Sequence, residues 1–315
     1  SLSLAQDGII NKLRSNLPDC PFPIRYTSLT AFNARYRQGR ITATGSLVYT
    51  NVTEHVKIGD APADFQRLAP SFTVSLQPWQ EQLLFLRLMY KSTFRMPTFN
   101  DLYYYRLGNR SLRPEKANEY NMGITWSRSF SSFLNYLSVT VDGYYNDVTD
   151  KIVAFPTTYA WKMANYGKVH VTGMDATLAA AASLGKNMVL VVSGGYTWQK
   201  AIDLTDATSK SYKDQLPYTP KHSGNVSAVL EMPWVNVGYS IVGVSERYSM
   251  SQNIPENRID GYMEHTASLS RNFSFRHCKL RLQAEIINMT DTQYDVIKYY
   301  PMPGRSWRLT GTIEF

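Results

Sequence analysis

The residues of this chain that could do chemistry are five histidines, two cysteines and two clusters of aromatic and basic side chains. His55, His170, His222, His265 and His277 are scattered, and none lies in an HExxH, GxSxG or phosphate-loop pattern. No nucleophile, base and orienting group therefore assemble along the sequence, and neither catalysis nor a resident cofactor or metal is expected. His222, in the stretch TPKHSGN, reads as structural. Cys20 and Cys278 lie far apart and form neither a CxxC nor a metal cluster, so one long-range disulfide and two free thiols both fit. What remains is recognition. Between Arg95 and Pro114 stand Asn100, Asp101, Tyr103, Tyr104, Tyr105, Arg106, Asn109 and Arg110; near the C-terminus stand Tyr294, Asp295, Lys298, Tyr299 and Tyr300. Aromatic faces and phenol groups beside cations suit a bulky, partly apolar ligand. Three consecutive tyrosines also suit anchors at a membrane interface. The candidate ligand contacts are Tyr103, Tyr104, Tyr105, Arg106, Asn109, Arg110, Tyr294, Lys298 and Tyr299.

The elements that must position these residues are strands. From Trp307 to Phe315 every second residue is apolar or small, with Arg308, Thr310, Thr312 and Glu314 between them, and Lys279 to Ile286 alternates likewise. Two such strands fit a soluble sandwich or a membrane barrel. Similar segments run along the whole chain, among them Ile24 to Arg37, Leu137 to Val153, Ala164 to Ala182 and Val235 to Tyr248. About thirteen are expected, or fourteen with the leading SLSLAQDG, each long enough for the ~9–11 residues of a tilted membrane strand. Tight turns near Gly39, Pro78, Ser131, Gly185 and Pro233 take turns with longer connections such as Arg95 to Pro114 and Thr290 to Gly304. That asymmetry belongs to outer-membrane barrels, with turns on the periplasmic side and loops outside.

Composition agrees. The chain carries 22 Tyr, 13 Phe and 6 Trp, and 43% of its residues are hydrophobic, yet its mean hydropathy is −0.30. Alternation of lipid-facing and lumen-facing residues produces that average. No apolar run reaches the ~18 residues of a spanning helix. The net charge of +8 is spread over strands and turns without a basic run, so no nucleic-acid partner is expected. Tyr49, Trp79, Phe94, Trp126, Tyr145, Trp198, Trp234 and Tyr248 fall at strand ends, where interfacial girdles form.

The stretch YKSTFRMPTFNDLYYYRLGNRSLRPEKANEYNMGI, from Tyr90 to Ile124, resembles a segment of TonB-dependent outer-membrane receptors that reads approximately FRAPSFNELY, then GNPNLKPEKS, then YELG. Matching positions include Phe94, Arg95, Pro97, Phe99, Asn100, Leu102 and Tyr103, then Gly108, Asn109, Leu112, Pro114, Glu115 and Lys116. YNDVTDKI, ANYGKVHVTGMDATL, LPYTPKHSGNVSA and the final hairpin follow in the family's order, and the chain ends on an aromatic as these barrels do.

The resemblance implies an all-β antiparallel transmembrane barrel in the outer membrane of a Gram-negative bacterium, of roughly 22 strands around a plug. Residues 1–315 are then expected to be one barrel region, with the plug and the first strands outside it. The implied partners are outer-membrane lipid, that plug with the remaining strands, TonB acting through the plug, and a small metal chelate. Haem receptors of the family carry a His between the two boxes. No His occurs from Met96 to Ser111, which places haem behind a ferric siderophore or cobalamin. A passive porin-like or structural barrel is the alternative, and an outer-membrane hydrolase a third. In a full receptor the last strand pairs with the first barrel strand, so its outer edge is expected to lack a partner within this sequence.

Overall fold

The structure, a computed structural model, describes residues 1–16, 20–156, 161–185, 187–276 and 278–314, with the side chains of Phe155 and Pro156 left aside. The terminal aromatic Phe315, Lys186 of the Gly185 turn and His277 lie outside the described residues.

The alternating segments form β1 (Leu2–Lys12), β2 (Ile24–Gln38), β3 (Ile41–His55), β4 (Phe65–Leu76), β5 (Leu83–Arg95), β6 (Glu115–Ser129) and β7 (Leu134–Pro156). They continue as β8 (Trp161–Gly185), β9 (Met188–Asp203), β10 (His222–Glu231), β11 (Asn236–Val244), β14 (Tyr262–Ser274), β15 (Lys279–Ile287) and β18 (Ser306–Glu314). These make one antiparallel sheet of 14 strands in sequence order. A sandwich would divide its strands between two sheets. β1 and β18 each pair on one side only among the described residues.

Register fixes two faces of opposite character. Cross-strand partners such as Leu88↔Met122, Ile124↔Val141, Val226↔Ile241 and Ala284↔Leu309 share one face. Its large apolar side chains are open: Met122, Trp307 and Leu309 are 64%, 73% and 81% exposed. The other face carries Arg87, which donates to Thr125 at 2.8 Å and to Asp142 at 3.0 Å, together with Thr125–Thr140, Ser127–Ser138 and Thr197–Asp175 contacts. An apolar face turned to lipid and a polar face turned to a lumen describe the wall of a membrane barrel.

Two strands outrun that wall. β7 has 23 residues and β8 has 25. At ~3.3 Å per residue β8 spans ~80 Å, well beyond the ~25 Å apolar band even after tilt. The overhang lies on the long-loop side and is the support for the loops. Val169 at 0% exposure packs there with Ala117, Val148, Ala201 and Leu216. Ile152, Leu102 and Leu112 form a second cluster, with Tyr103 and Met163 against it.

Three local features differ from the sequence reading. The strand expected from Val235 to Tyr248 stops at Val244: Arg247–Tyr248 (β12) pairs instead with Arg258–Ile259 (β13), after a short 3₁₀ turn at Pro255–Asn257. The doubling back is tight. A Cβ on Gly261 would lie 2.8 Å from the Val244 carbonyl oxygen. Tyr248 consequently belongs to a loop ribbon and not to a girdle. The final loop holds a second small ribbon, β16 (Asp295–Ile297) with β17 (Tyr300–Pro301). The loop after β5 contains a short helix, α1 (Phe99–Tyr103).

Candidate ligand-binding loops

The loop after β5 is organised by α1. Thr98 accepts from the Asp101 amide at 3.1 Å, and the Asp101 carboxylate accepts from the Thr98 amide at 2.8 Å. This reciprocal box satisfies two donors that a helix start leaves open. Leu102, at 2% exposure, roots the helix in the cluster below. The loop then folds back on the helix, where a Cβ on Gly108 would meet the backbone of Leu102, Tyr103 and Tyr104 at 2.7 Å. Only glycine allows that approach.

Tyr103 points from α1 to the lumen side of the sheet, where its hydroxyl donates to Glu54 Oε1. Glu54 also receives Arg25 Nε at 2.7 Å across the β2–β3 pair, and both side chains are nearly closed to solvent. The Arg25 guanidinium lies 5.0 Å from the Phe99 ring centre, and that of Arg110 lies 5.5 Å from the Tyr103 ring centre. Burial pushes the Tyr103 phenol well above its ordinary range. The hydrogen bond to Glu54 and its charge add to the rise, which Arg110 and Arg25 only partly oppose. Tyr103 is thus a neutral brace between loop and wall. Asn109 is a brace as well: it donates to the Met163 carbonyl at 3.0 Å and accepts from the Ser111 amide and hydroxyl. Tyr104, Tyr105, Arg106 and Arg110 are exposed. Arg106 adopts φ 64 and sets its guanidinium 5.1 Å from the Tyr105 ring centre. Beside them a cleft of ≈ 290 Å³ opens between Arg25, Asp64, Pro97 and Arg110.

The second group stands over β14 and the β12–β13 ribbon. Tyr294 stacks on Tyr262, with ring centres 3.9 Å apart and planes at 13°, and its hydroxyl donates to Glu264 at 2.5 Å. Burial again raises this phenol, with the Glu264 hydrogen bond and charge next. Arg247, 4% exposed, donates to the carbonyls of Asp295 and Val296 and holds the ribbon down. The Lys298 ammonium donates to the Glu256 carbonyl, which leaves Tyr299 (81% exposed) and Tyr300 at the tip. Arg258, Asp260, Tyr294, Lys298 and Tyr299 line a cleft of ≈ 330 Å³.

No contact joins the two groups directly among the described residues. A relay connects them: the Met163 amide donates to the Leu107 carbonyl, Trp161 lies 6.0 Å from Tyr218, and the Tyr218 amide donates to the Tyr248 carbonyl. The loops are thus one braced crown with two exposed aromatic and cationic tips. Sequence reasoning missed Arg25, Glu54, Arg247, Tyr262 and Glu264, whose signal was ionisable or aromatic character at the loop ends of strands. Among the described residues no cluster of three or more His, Cys, Asp or Glu side chains could hold a metal ion, and Cys20 and Cys278 are free thiols.

Comparison with known proteins follows the same lines. The family model described as "TonB dependent receptor-like, beta-barrel" matches residues 11–289. The vitamin B12 transporter BtuB of Photobacterium profundum is 25% identical over 230 residues, covering 70% of this chain and 34% of the relative. BtuB of Vibrio vulnificus is 26% identical over 231 residues, covering 70% of this chain and 33% of the relative. The chain spans about one third of these curated relatives. Among solved structures, the unliganded ferric citrate transporter FecA superposes with a TM-score of 0.73 at 15% identity, over 94% of this chain and 46% of FecA. The copper transporter OprC gives 0.74 at 14% identity, over 99% and 53%. At these identities the structures share the fold with this chain.

Proposed function

The chain belongs to the TonB-dependent receptor family, as a stretch of its β-barrel, and from that premise we propose that the whole protein is a Gram-negative outer-membrane receptor that binds and imports a scarce metal chelate. A ferric siderophore or cobalamin fits ahead of haem, since the first loop offers phenols and guanidinium groups and no imidazole. The observation that carries this reading is the braced crown: one end of a polar-lined wall presents Tyr104, Tyr105, Arg106 and Arg110 on one loop and Lys298 and Tyr299 on another. Tyr103, Asn109 and Tyr294 hold those tips in place. Aromatic faces supply apolar area at low entropic cost, and the cations suit the anionic groups of a chelate.

A polar-lined bore that stood open would leak. The remaining strands and a plug are therefore assigned to the rest of the protein, with TonB drawing on the inner-membrane proton gradient to move the plug. The test is binding of ferric siderophores, cobalamin and haem to the full-length protein, followed by uptake in cells with and without TonB. Saturable binding of one chelate and TonB-dependent uptake are expected. Ligand-independent conductance, or uptake that persists without TonB, would make it a passive channel.

A further inference from the structure

The cleft beside the first loop carries a feature that the bracing of the crown does not use. Arg25, at its buried end, is 9% exposed, and its Nη2 is closed to solvent and has no hydrogen-bond acceptor among the described residues. The neighbouring carboxylate is already engaged through both oxygens. Glu54 Oε2 takes Arg25 Nε at 2.7 Å, and Oε1 takes the Tyr103 hydroxyl. The Phe99 ring, 5.0 Å from the guanidinium, covers it without offering an oxygen. Buried donors are normally paired, so one left open on the wall of a cavity calls for an acceptor that arrives from outside.

Charge and size define that acceptor. The cleft lies between the first loop and the connection from β3 to β4, and Arg110 reaches toward that connection: a Cβ on Gly59 would lie 2.5 Å from its Nη1. Three guanidinium groups, of Arg25, Arg110 and Arg113, line the space against one carboxylate, Asp64. Arg113 is held by Asp150 at 2.5 Å, and Asp64 stands exposed at the rim, where water screens its charge. The buried end therefore favours an anionic, planar acceptor, which a guanidinium holds by charge-assisted hydrogen bonds. Phe65, Met96, Leu102 and Leu112 supply apolar walls. A volume of ≈ 290 Å³ has room for about ten non-hydrogen atoms, at the ~30 Å³ that a water molecule takes in the liquid. That is less than a whole chelate and suits one arm of it, a carboxylate on a few methylene groups.

We infer that the cleft is an anion subsite for one carboxylate arm of the ligand, with an oxygen on Arg25 Nη2 and the methylene groups against Phe65, Leu102 and Leu112. The inference rests on the receptor reading and narrows it to chelates that keep a carboxylate free of the metal, ahead of cobalamin, whose corrin arms are amides. The test is isothermal titration of the full-length protein in detergent micelles, at constant chloride, with glutarate, with glutaramide and with inorganic phosphate. Wild type is expected to bind glutarate at least tenfold more tightly than either of the others. Ala63→Trp fills the cleft from its exposed rim, leaves the Arg25–Glu54 pair in place and is expected to abolish that binding. Arg25→Gln is expected to weaken it at least tenfold. Heat-modifiable gel mobility reads barrel integrity for each variant. Equal affinity of wild type for glutarate and glutaramide overturns the proposal whichever variants fold. So does unchanged glutarate binding in a folded Ala63→Trp or Arg25→Gln protein, or phosphate bound as tightly as glutarate, which would mark a simple anion site. A glutarate preference in a protein that binds no chelate keeps the subsite and removes the receptor reading, whereas chelate uptake without that preference does the reverse.

Discussion

Arg25, Glu54 and Tyr103 form the most buried ionic assembly in the loop crown, and its members work as a unit. Glu54→Ala strips the partner from a guanidinium nearly closed to solvent, and breaking such a pair costs about 3–5 kcal/mol. The expected readout is a lower denaturation midpoint of the full-length protein, with faster proteolysis between Met96 and Pro114. The Tyr103 phenol adds a pH dependence of definite sign. Its folded-state pKa lies above the unfolded value of about 10, so the folded state holds the proton longer. Its stabilisation is complete below pH ~10 and declines as pH rises through that value toward the folded pKa. Tyr103→Phe is expected to flatten this alkaline loss, as followed by proteolysis of the loop between pH 8 and 11. Tyr104 and Tyr105 behave differently. Both are exposed, so Tyr104→Ala/Tyr105→Ala should leave stability within about 0.5 kcal/mol while weakening chelate binding by isothermal titration.

The short helix α1 depends on its cap more than on its length. Five residues make barely more than one turn, and isolated helices so short do not persist in water. Thr98→Ala removes one half of the box and should cost about 1 kcal/mol, read as increased amide exchange from Phe99 to Tyr103. Gly108→Ala should cost more, because its Cβ would meet the backbone of Leu102 to Tyr104 at 2.7 Å and no side chain can move aside. The Thr-x-x-Asp signature of this cap was present in the sequence as Thr98 and Asp101, yet it fell inside a segment read as a plain loop. The ribbons at β12–β13 and β16–β17 were less visible still. Two or three paired residues leave no periodicity to detect, and the continuation of alternation through Tyr248 suggested one strand where the chain had already turned away after Val244.

For the molecule as a whole, the decisive fact is a sheet with two edges. Among the described residues β1 and β18 each leave one row of backbone donors and acceptors unpaired, and an open edge in hydrocarbon is strongly disfavoured. Residues 1–315 refolded alone in detergent are therefore expected to associate edge to edge, giving polydisperse species by light scattering, whereas the same residues within the complete protein give a monodisperse one. A monodisperse, heat-modifiable monomer from residues 1–315 alone would show that these strands can close on themselves. The overhang of β7 and β8 belongs to this scale as well. It carries the clusters around Val169 and Ile152 that connect the loops into one crown.

The strand class, the two-faced wall, the alternation of turns and loops and the family are all legible along the chain. Each of these rests on period-two alternation, on turn residues or on ordered motifs, which are properties of neighbouring positions. That Tyr103 and Asn109 brace the loop while Tyr104, Tyr105 and Arg106 face outward follows from contacts in space, although all five lie in one short run. The reason is that Tyr103 answers to Glu54 and Arg25, and Asn109 to Met163, through pairings set by register between strands distant in sequence.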